Sequence, residues 1–168
     1  MLTSSRGDQV PYMVLEWLEG QPLEGVLEDE QARGLPLRNL QEAIRLLDPI
    51  AEALALAHRQ GIVHRDIKPA NVFVLGDPRG DEVSVKLLDF GIAKVVQDAQ
   101  KMGFGKTAGH LTSFTPAYGA PEQFNRAYGA TGPWTDVFAL ALVAVEVLTG
   151  QPPLSGDTLV QLAYAASD

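Results

Sequence analysis

The sequence contains no cysteine. This absence excludes a disulfide framework, a zinc–thiolate site and a thiol nucleophile. Basic residues are scarce as well, because 13 Lys and Arg stand against 21 Asp and Glu, which gives a formal charge of −8 at pH 7. An acidic surface repels polyanions, so we expect the protein to bind neither nucleic acid nor an anionic membrane surface in a general way.

Long hydrophobic runs are also missing. The longest uncharged apolar run, residues 137–145, is far too short to cross a bilayer, and no charged segment followed by an apolar one opens the chain as a signal sequence would. Of the 168 residues, 46% are hydrophobic and 20% are charged, which is typical of a globular domain with one sizeable core. We therefore expect a soluble protein of the cytoplasm.

Three motifs carry the chemistry of the chain. Residues 61–74 read G-I-V-H-R-D-I-K-P-A-N-V-F-V, residues 87–91 read L-L-D-F-G, and residues 119–122 read G-A-P-E. In this order and separation they resemble the catalytic loop, the metal-binding motif and the end of the activation segment of eukaryotic-type serine/threonine protein kinases, most closely the bacterial members. Small-molecule phosphotransferases are a more distant alternative, which shares the Asp and Asn pattern but lacks A-P-E.

The resemblance implies an α+β fold. It would be a protein-kinase-like large lobe, mainly helical with small β-hairpins, and the small lobe would be largely absent. The chain would divide into a disordered lead-in over residues 1–10, a strand and hinge over 11–19, and a partial large lobe over 20–168. Within that lobe, the catalytic loop would cover 62–74, the activation segment 89–122 and the central helix about 135–148.

Local patterns predict the individual elements. Asn39 and Glu42 form a capping-box pattern before a helix whose apolar face continues to His58, and Pro49 either bends this helix or splits it into two. We interpret His58 as a structural or surface histidine and not as a ligand. The other predicted elements are helices over 22–30 and 158–166, a strand over 11–18, a hairpin of strands 72–75 and 83–88, and a loop over 92–115.

The resemblance assigns catalytic roles to Asp66, Lys68 and Asn71. Asp66 would accept and orient the substrate hydroxyl, and Lys68 would place a positive charge beside the transferring phosphate. Asn71 and Asp89 would bind Mg²⁺ through hard oxygen atoms, so the implied cofactors are ATP and Mg²⁺. Taken without its neighbours, an aspartate such as Asp66 is equally well interpreted as a turn-capping residue.

Nucleotide binding is implied for a second group of residues. The resemblance assigns it to Leu15, Glu16, Leu18, Phe73 and Asp89. Leu15 would be the gatekeeper, and the backbone of Glu16 and Leu18 would hydrogen-bond adenine. Without the downstream motifs, an ordinary buried strand would be the better interpretation of this stretch.

Arg65 would link the catalytic loop to the activation segment. In the family such an arginine pairs with a phosphorylated residue, because a phosphate adds roughly 1.5 to 2 negative charges and several acceptor oxygens. Lys94 would be a second partner for that phosphate. The candidate phosphorylated residues are Thr107, Thr112 and Ser113.

Thr115 opens the segment T-P-A-Y-G-A-P-E, which resembles the substrate-docking loop of serine/threonine kinases. The implied partner is therefore a protein substrate with a serine or threonine acceptor. Asp136 would tie the central helix to the backbone of the catalytic loop, an interpretation compatible with a plain carboxylate at a helix N-terminus. The residues given structural roles by the resemblance are His64, Phe90, Gly91, Glu122 and Asp136.

No glycine-rich phosphate loop and no V-A-I-K-like lysine precede the hinge pattern. Kinase activity depends on the ion pair of that lysine, so we expect this chain alone to phosphorylate little or nothing. We also expect Glu122 to lack an arginine partner, and the central helix to expose apolar side chains unless a partner chain covers them. The alternative function is a noncatalytic, pseudokinase-like interaction module or a gene fragment.

Overall fold

The structure is a computed structural model that describes residues 2–3, 9–10, 14–80, 83–90 and 114–167. The strands are β1 (Leu2–Thr3), β2 (Gln9–Val10), β3 (Gly20–Pro22), β4 (Val72–Leu75) and β5 (Ser84–Leu87). The α-helices are α1 (Leu23–Ala32), α2 (Leu40–Arg59), α3 (Pro121–Phe124), α4 (Pro133–Thr149) and α5 (Leu159–Ser167). Short 3₁₀ turns cover Pro69–Asn71, Pro116–Tyr118 and Arg126–Tyr128. Helices around a small antiparallel sheet confirm the predicted α+β class.

Helix α2 begins with the predicted capping box. The Asn39 side chain accepts the backbone N–H of Glu42 at 3.0 Å, and the Glu42 carboxylate accepts the backbone N–H of Asn39 at 2.8 Å. The helix runs through Pro49 as one element, which decides between the two outcomes predicted at this proline. Its buried side chains recur along one face: Ala43, Leu46, Leu47, Ile50, Leu54 and Ala57.

Strands β3, β4 and β5 form an antiparallel sheet in that order. The central strand is β4, in which Val74 pairs with Gln21 of β3 and Val85 of β5. Gly20 permits this pairing, because a Cβ atom at that position would lie 2.1 Å from the carbonyl oxygen of Val74. The predicted hairpin over 72–75 and 83–88 is confirmed, with the second strand one residue shorter at each end.

The core lies between α1, α2, α4 and the hairpin. Leu23, Leu46 and Val143 are fully buried there, one from each of the three helices. Helix α4 ends at Gly150, whose φ of +69° is a left-handed conformation that glycine adopts without strain. The elements that carry the motif residues therefore stand on a single packed core.

A buried polar cluster joins α1 to the tip of the hairpin. Arg79 donates through Nε and Nη2 to the two carboxylate oxygens of Glu30, at 3.0 and 3.1 Å. Arg38 also donates to Glu30 and, through Nη1, to the carbonyl oxygen of Pro78 at 2.8 Å. Burial lowers the pKa of Arg38, whereas the hydrogen bond to Glu30 raises the pKa of Arg79.

The strand predicted over residues 11–18 is wrong where the structure describes it. Residues 14–19 form no strand, and Val14, Leu15 and Trp17 are 84%, 71% and 89% exposed. A strand requires a neighbour that takes up its backbone hydrogen bonds, and pairing with β4 begins only at Gly20. The apolar pattern predicted burial, but in the described residues no element covers these side chains.

The structure describes residues 2–3 and 9–10 of the predicted lead-in, and these residues form two short strands. Strand β1 pairs with β2 in antiparallel register, with Leu2 opposite Val10 and Thr3 opposite Gln9. The polar composition of this stretch predicted no pairing. Backbone hydrogen bonds, which any sequence can make, explain why composition missed it.

Helix α4 is apolar on nearly every face, and only one face is buried. Val137 and Val145 are 61% and 42% exposed, as expected from the sequence of the central helix. Among the described residues, no helix is both long enough and apolar enough to cross a membrane.

Candidate active site

The Asp66 carboxylate is the centre of the site. Its Oδ1 atom accepts the backbone N–H and the hydroxyl of Thr115, both at 2.9 Å. Its Oδ2 atom lies 3.1 Å from Nζ of Lys68 and accepts from Nδ2 of Asn71 at 3.2 Å. The structure therefore brings all three residues predicted to be catalytic into direct contact, together with the predicted substrate-loop threonine.

Lys68 completes the geometry around the Thr115 hydroxyl. Its Nζ atom donates to Thr115 Oγ1 at 2.8 Å, and the same hydroxyl donates to Asp66. One hydroxyl oxygen thus lies between a carboxylate that can accept its proton and an ammonium group that can stabilise negative charge on it. Such a pair of partners is what activation of an alcohol requires.

Asn71 offers one oxygen atom for a cation. Its Nδ2 atom donates to both the backbone oxygen and the carboxylate of Asp66, at 2.7 and 3.2 Å, so Oδ1 is the remaining polar atom of the amide. The backbone oxygen of Asn71 accepts the N–H of Leu88 at 2.8 Å, which brings the segment with Asp89 alongside. The hairpin therefore brings the residue that precedes Asp89 into contact with Asn71 at its open end.

The Asp89 side chain is exposed, and the described residues make no hydrogen bond to its carboxylate. Its backbone has a φ of +62°, a left-handed conformation that is uncommon outside glycine and that aspartate adopts more often than most other residues. An amide oxygen and a free carboxylate are hard ligands that fit Mg²⁺, which takes its other ligands from phosphates and waters. No group of three or more His, Asp or Glu side chains in the described part of the chain forms a complete protein cage for a metal.

His64 connects the catalytic loop to the D-F-G segment. Its Nε2 atom donates to the carbonyl oxygen of Leu88 at 2.7 Å, and its Nδ1 atom accepts the backbone N–H of Asp66 at 3.3 Å. The Phe90 ring packs edge-on against the imidazole, with the ring centres 5.1 Å apart. These contacts require the proton on Nε2, so the tautomer of His64 follows from its neighbours.

Asp136, in the first turn of α4, holds the backbone of the catalytic loop. Its side chain is fully buried and accepts three hydrogen bonds: from the backbone N–H of His64 at 2.8 Å, from that of Arg65 at 2.7 Å and from Nε2 of His58 at 2.7 Å. His58 is thus a structural residue, as its position in the sequence predicted. Its partner lies 78 residues away, and no local pattern reveals that contact.

Comparisons with known proteins agree with this arrangement. The sequence profile described as "Protein kinase domain" matches residues 1–166. This chain belongs to the protein kinase family. It is 35% identical over 158 residues to the serine/threonine-protein kinase PknL of Mycobacterium tuberculosis, an alignment that covers 94% of this chain and 35% of PknL.

A second relative is the serine/threonine-protein kinase PknB of the same species, which is 36% identical over 155 residues, covering 92% of this chain and 22% of PknB. The kinase chain described here thus spans about a third of the length of PknL and about a fifth of that of PknB. The predicted membership of the bacterial-like serine/threonine kinases is confirmed.

Arg65 has a strained backbone and an unpaired side-chain atom in this kinase. Its φ of +70° is left-handed, which costs a residue with a Cβ atom about 1–2 kcal/mol. Its Nε atom is buried and has no hydrogen-bond partner among the described residues. The predicted regulatory residues Lys94, Thr107, Thr112 and Ser113, and the predicted structural residue Gly91, lie outside the described residues.

The residues assigned to nucleotide binding are spread between exposed and half-buried positions. The Leu15 side chain is 71% exposed, and Leu18 is half-buried. The Glu16 carboxylate pairs with Nζ of Lys86 at 2.6 Å, across an exposed surface. Phe73 is half-buried in β4, and its ring lies over Gly20 at the start of the sheet.

Glu122 accepts a hydrogen bond from a hydroxyl group. Its Oε1 atom accepts the Thr135 hydroxyl at 2.5 Å, and Thr135 Oγ1 in turn accepts the backbone N–H of Gly132 at 3.0 Å. Within the described ranges, no cationic side chain lies within ion-pair distance of Glu122. The bond to Thr135 is a contact that the sequence did not reveal.

Tyr118 and Glu146 form a further contact that sequence reasoning missed. The Tyr118 hydroxyl donates to Glu146 Oε2 at 2.6 Å, which joins the substrate-docking loop to α4. Burial is the main cause that raises the pKa of both groups, and the nearby Glu24 adds to the increase. The signal in the sequence was Glu146 itself, the one charged residue between Val137 and Thr149.

The raised pKa of Tyr118 predicts a loss of stability in alkali. The folded state keeps the phenol protonated above its ordinary pKa of about 10, whereas the unfolded chain ionises there. The stabilising contribution is therefore complete below pH 10 and falls above it, by at most about 1.4 kcal/mol per pH unit. Urea unfolding of wild type and Tyr118→Phe between pH 8 and about pH 11 tests this, because the phenylalanine variant lacks the extra slope. Equal slopes for both proteins would contradict it.

Proposed function

We propose that this chain is the large-lobe part of a kinase domain that transfers the γ-phosphoryl group of ATP, with Mg²⁺, to serine or threonine hydroxyls of proteins. The observation that carries the proposal is the arrangement of Asp66, Lys68 and Thr115. A threonine hydroxyl lies 2.9 Å from the carboxylate and 2.8 Å from the ammonium group. A substrate hydroxyl would need a carboxylate and an ammonium group of the same kind.

Each residue of this chain would contribute a separate effect. Asp66 would orient the acceptor hydroxyl and accept its proton while the bond from that oxygen to the γ-phosphorus forms and the bond from the γ-phosphorus to the bridging oxygen of the departing ADP breaks. Lys68 would stabilise negative charge on the phosphoryl oxygens. Asn71 and Asp89 would hold Mg²⁺ through the amide oxygen and the free carboxylate. Bound Mg·ATP supplies the phosphoryl group and further positive charge.

Serine and threonine are the acceptors that the substrate-docking loop supports. Thr115 is held by both Asp66 and Lys68, so the loop that starts there lies directly beside the catalytic carboxylate. The relatives PknL and PknB carry the name serine/threonine-protein kinase, which favours the same substrate class here. We expect the acceptor peptide to lie along this loop.

Regulation would involve Arg65. Its buried, unpaired Nε atom is a donor that a phosphate on Thr107, Thr112 or Ser113 would satisfy, with Lys94 as a second cation. A buried donor without a partner costs about 1–3 kcal/mol, so the proposed pairing would stabilise the loop as well as report on phosphorylation.

The second candidate function is an interaction module. Val14, Leu15 and Trp17 are exposed apolar side chains in a short segment without regular secondary structure, which favours coverage by another polypeptide. We expect slow phosphoryl transfer by this chain alone and faster transfer with a partner that supplies a glycine-rich phosphate loop.

Calorimetric titration of ATP into the protein tests the proposal. Binding that requires Mg²⁺ is expected for the wild type, and Asp89→Ala is expected to weaken it by at least about tenfold, because it removes the one carboxylate of the proposed metal site. Asp157→Ala is the matched control, since Asp157 is an exposed aspartate without a side-chain partner in the described residues. Absence of Mg·ATP binding by the folded protein would contradict the kinase proposal and favour the interaction module.

A further inference from the structure

Gln123 joins the end of the activation segment to the catalytic loop through its side-chain amide. Its Oε1 atom accepts the backbone N–H of Ala120 at 3.0 Å, and its Nε2 atom donates to the backbone oxygen of Arg65 at 2.8 Å. Ala120 is a donor and the Arg65 oxygen is an acceptor. The positions of the oxygen and nitrogen atoms in the Gln123 amide are therefore fixed by its partners. The residue lies in α3, directly after the A-P-E motif.

The Arg65 oxygen that Gln123 contacts belongs to the peptide unit that leads into Asp66. The N–H of that same peptide donates to Nδ1 of His64 at 3.3 Å. The preceding N–H, that of Arg65, donates to Asp136 at 2.7 Å. In the described residues, the carbonyl oxygen of this peptide accepts a single hydrogen bond from outside the catalytic loop. The donor is Gln123.

The conformation of Arg65 explains why this contact matters. A left-handed φ of +70° is not a conformation that an arginine keeps unaided, and it persists where neighbouring groups fix the backbone on both sides. Asp136 fixes the N–H side and Gln123 the C=O side. Rotation of the next peptide would turn the Asp66 carboxylate away from Lys68 and Thr115.

We propose that Gln123 is a positioning residue, which holds the peptide before Asp66 and so keeps the Asp66 carboxylate against Lys68 and Thr115. It touches neither substrate nor nucleotide. Its place after the A-P-E motif gives the end of the activation segment a second link to the Asp66 carboxylate, in addition to the direct hydrogen bonds from Thr115. The inference rests on the proposed function for its meaning, but its geometry can be tested without catalysis.

The decisive variant is Gln123→Glu, which keeps the shape and the acceptor for Ala120 but replaces the donor. A carboxylate oxygen would then face the Arg65 oxygen, and two acceptors repel. Gln123→Met removes both bonds at similar volume. Gln60→Glu is the matched control, because Gln60 is exposed and its side chain has no partner among the described residues.

Amide hydrogen exchange of the whole chain provides the readout. In Gln123→Glu we expect exchange at the N–H of Asp66 and Thr115 to accelerate by about tenfold or more, since both depend on the position of Asp66, while the N–H of Ala120 stays protected. In Gln123→Met the N–H of Ala120 accelerates too, and in Gln60→Glu none of the three changes. Unchanged exchange in Gln123→Glu, or equal acceleration throughout α2 and α4, would overturn the inference.

Steady-state kinetics then separates this inference from the proposed function. Where the wild type transfers phosphate, Gln123→Glu should lower kcat by about tenfold or more with KM for ATP within about twofold of wild type, because a displaced Asp66 slows the chemical step without touching the nucleotide. A wild type that binds no Mg·ATP and transfers no phosphate refutes the proposed function, and the exchange pattern still decides the role of Gln123. An unchanged kcat refutes the role of Gln123 alone.

Discussion

Asp136→Ala is expected to lower the free energy of unfolding by about 3 kcal/mol or more, because it leaves the backbone N–H groups of His64 and Arg65 and the His58 ring without their acceptor. The Asp136 side chain is fully buried, so water does not replace the lost bonds. A domain of this size has about 5–15 kcal/mol in total, so the variant should unfold at much lower urea. Equilibrium urea unfolding, followed by circular dichroism, measures the change.

Two further variants serve as controls for the loss of stability in Asp136→Ala. Asp157→Ala, an exposed aspartate, should change the free energy of unfolding by less than about 0.5 kcal/mol. Asp136→Asn should fall in between, because an amide keeps one acceptor oxygen but directs an N–H group at one of the former donors. A loss below about 1 kcal/mol in Asp136→Ala would show that the catalytic loop is held by other contacts.

Any phosphoryl transfer by this chain is expected to fall by about 10²–10⁴-fold in Asp66→Asn, because the variant removes the group that accepts the proton of the hydroxyl. The asparagine amide has the same shape as the carboxylate, but its Nδ2 atom cannot accept hydrogen bonds. In the wild type, Lys68 and Asn71 both donate to Asp66. Transfer of labelled phosphate from Mg·ATP to a peptide with one serine or threonine measures the rate.

The matched control for this experiment is again an exposed carboxylate, Asp157→Asn, which should transfer at the wild-type rate. Equal rates in wild type and Asp66→Asn would show that the transfer does not depend on this site. Transfer by the wild type that disappears in Asp66→Asn would support the proposed catalytic role and would overturn the expectation that the chain alone is nearly inactive.

The contacts among the residues of the predicted catalytic loop follow from their short spacing in the sequence, whereas their catalytic roles were implied by the family resemblance and stay a prediction. Asp66, Lys68 and Asn71 lie within six positions, and a short loop leaves few ways to arrange them. The capping box at Asn39 and Glu42 is local in the same sense. The hairpin that brings Asn71 beside Leu88 followed from two apolar strands around a turn.

The contacts that escaped prediction join residues that are distant in the sequence. His58 and Asp136 are 78 positions apart, and Gln123 and Arg65 are 58 apart. Each side chain also has an ordinary local interpretation, as a helix-end histidine or a surface glutamine, so nothing nearby marks it as bonded. The strand predicted over residues 11–18 was wrong for a different reason. Its apolar pattern is genuine, but no described element pairs with residues 14–18.

The Glu146 carboxylate, which with Asp136 is one of two in the otherwise apolar helix α4, has one more consequence. An α-helix with similar apolar residues on every side has little to distinguish one rotation about its axis from another, since any face can be buried at nearly the same gain. A turn by one residue, about 100°, would separate Glu146 from the Tyr118 hydroxyl and leave a half-buried carboxylate without a donor. The Tyr118–Glu146 bond therefore selects which face of α4 meets the catalytic loop, and Asp136 reaches His64 and Arg65 only in that rotation.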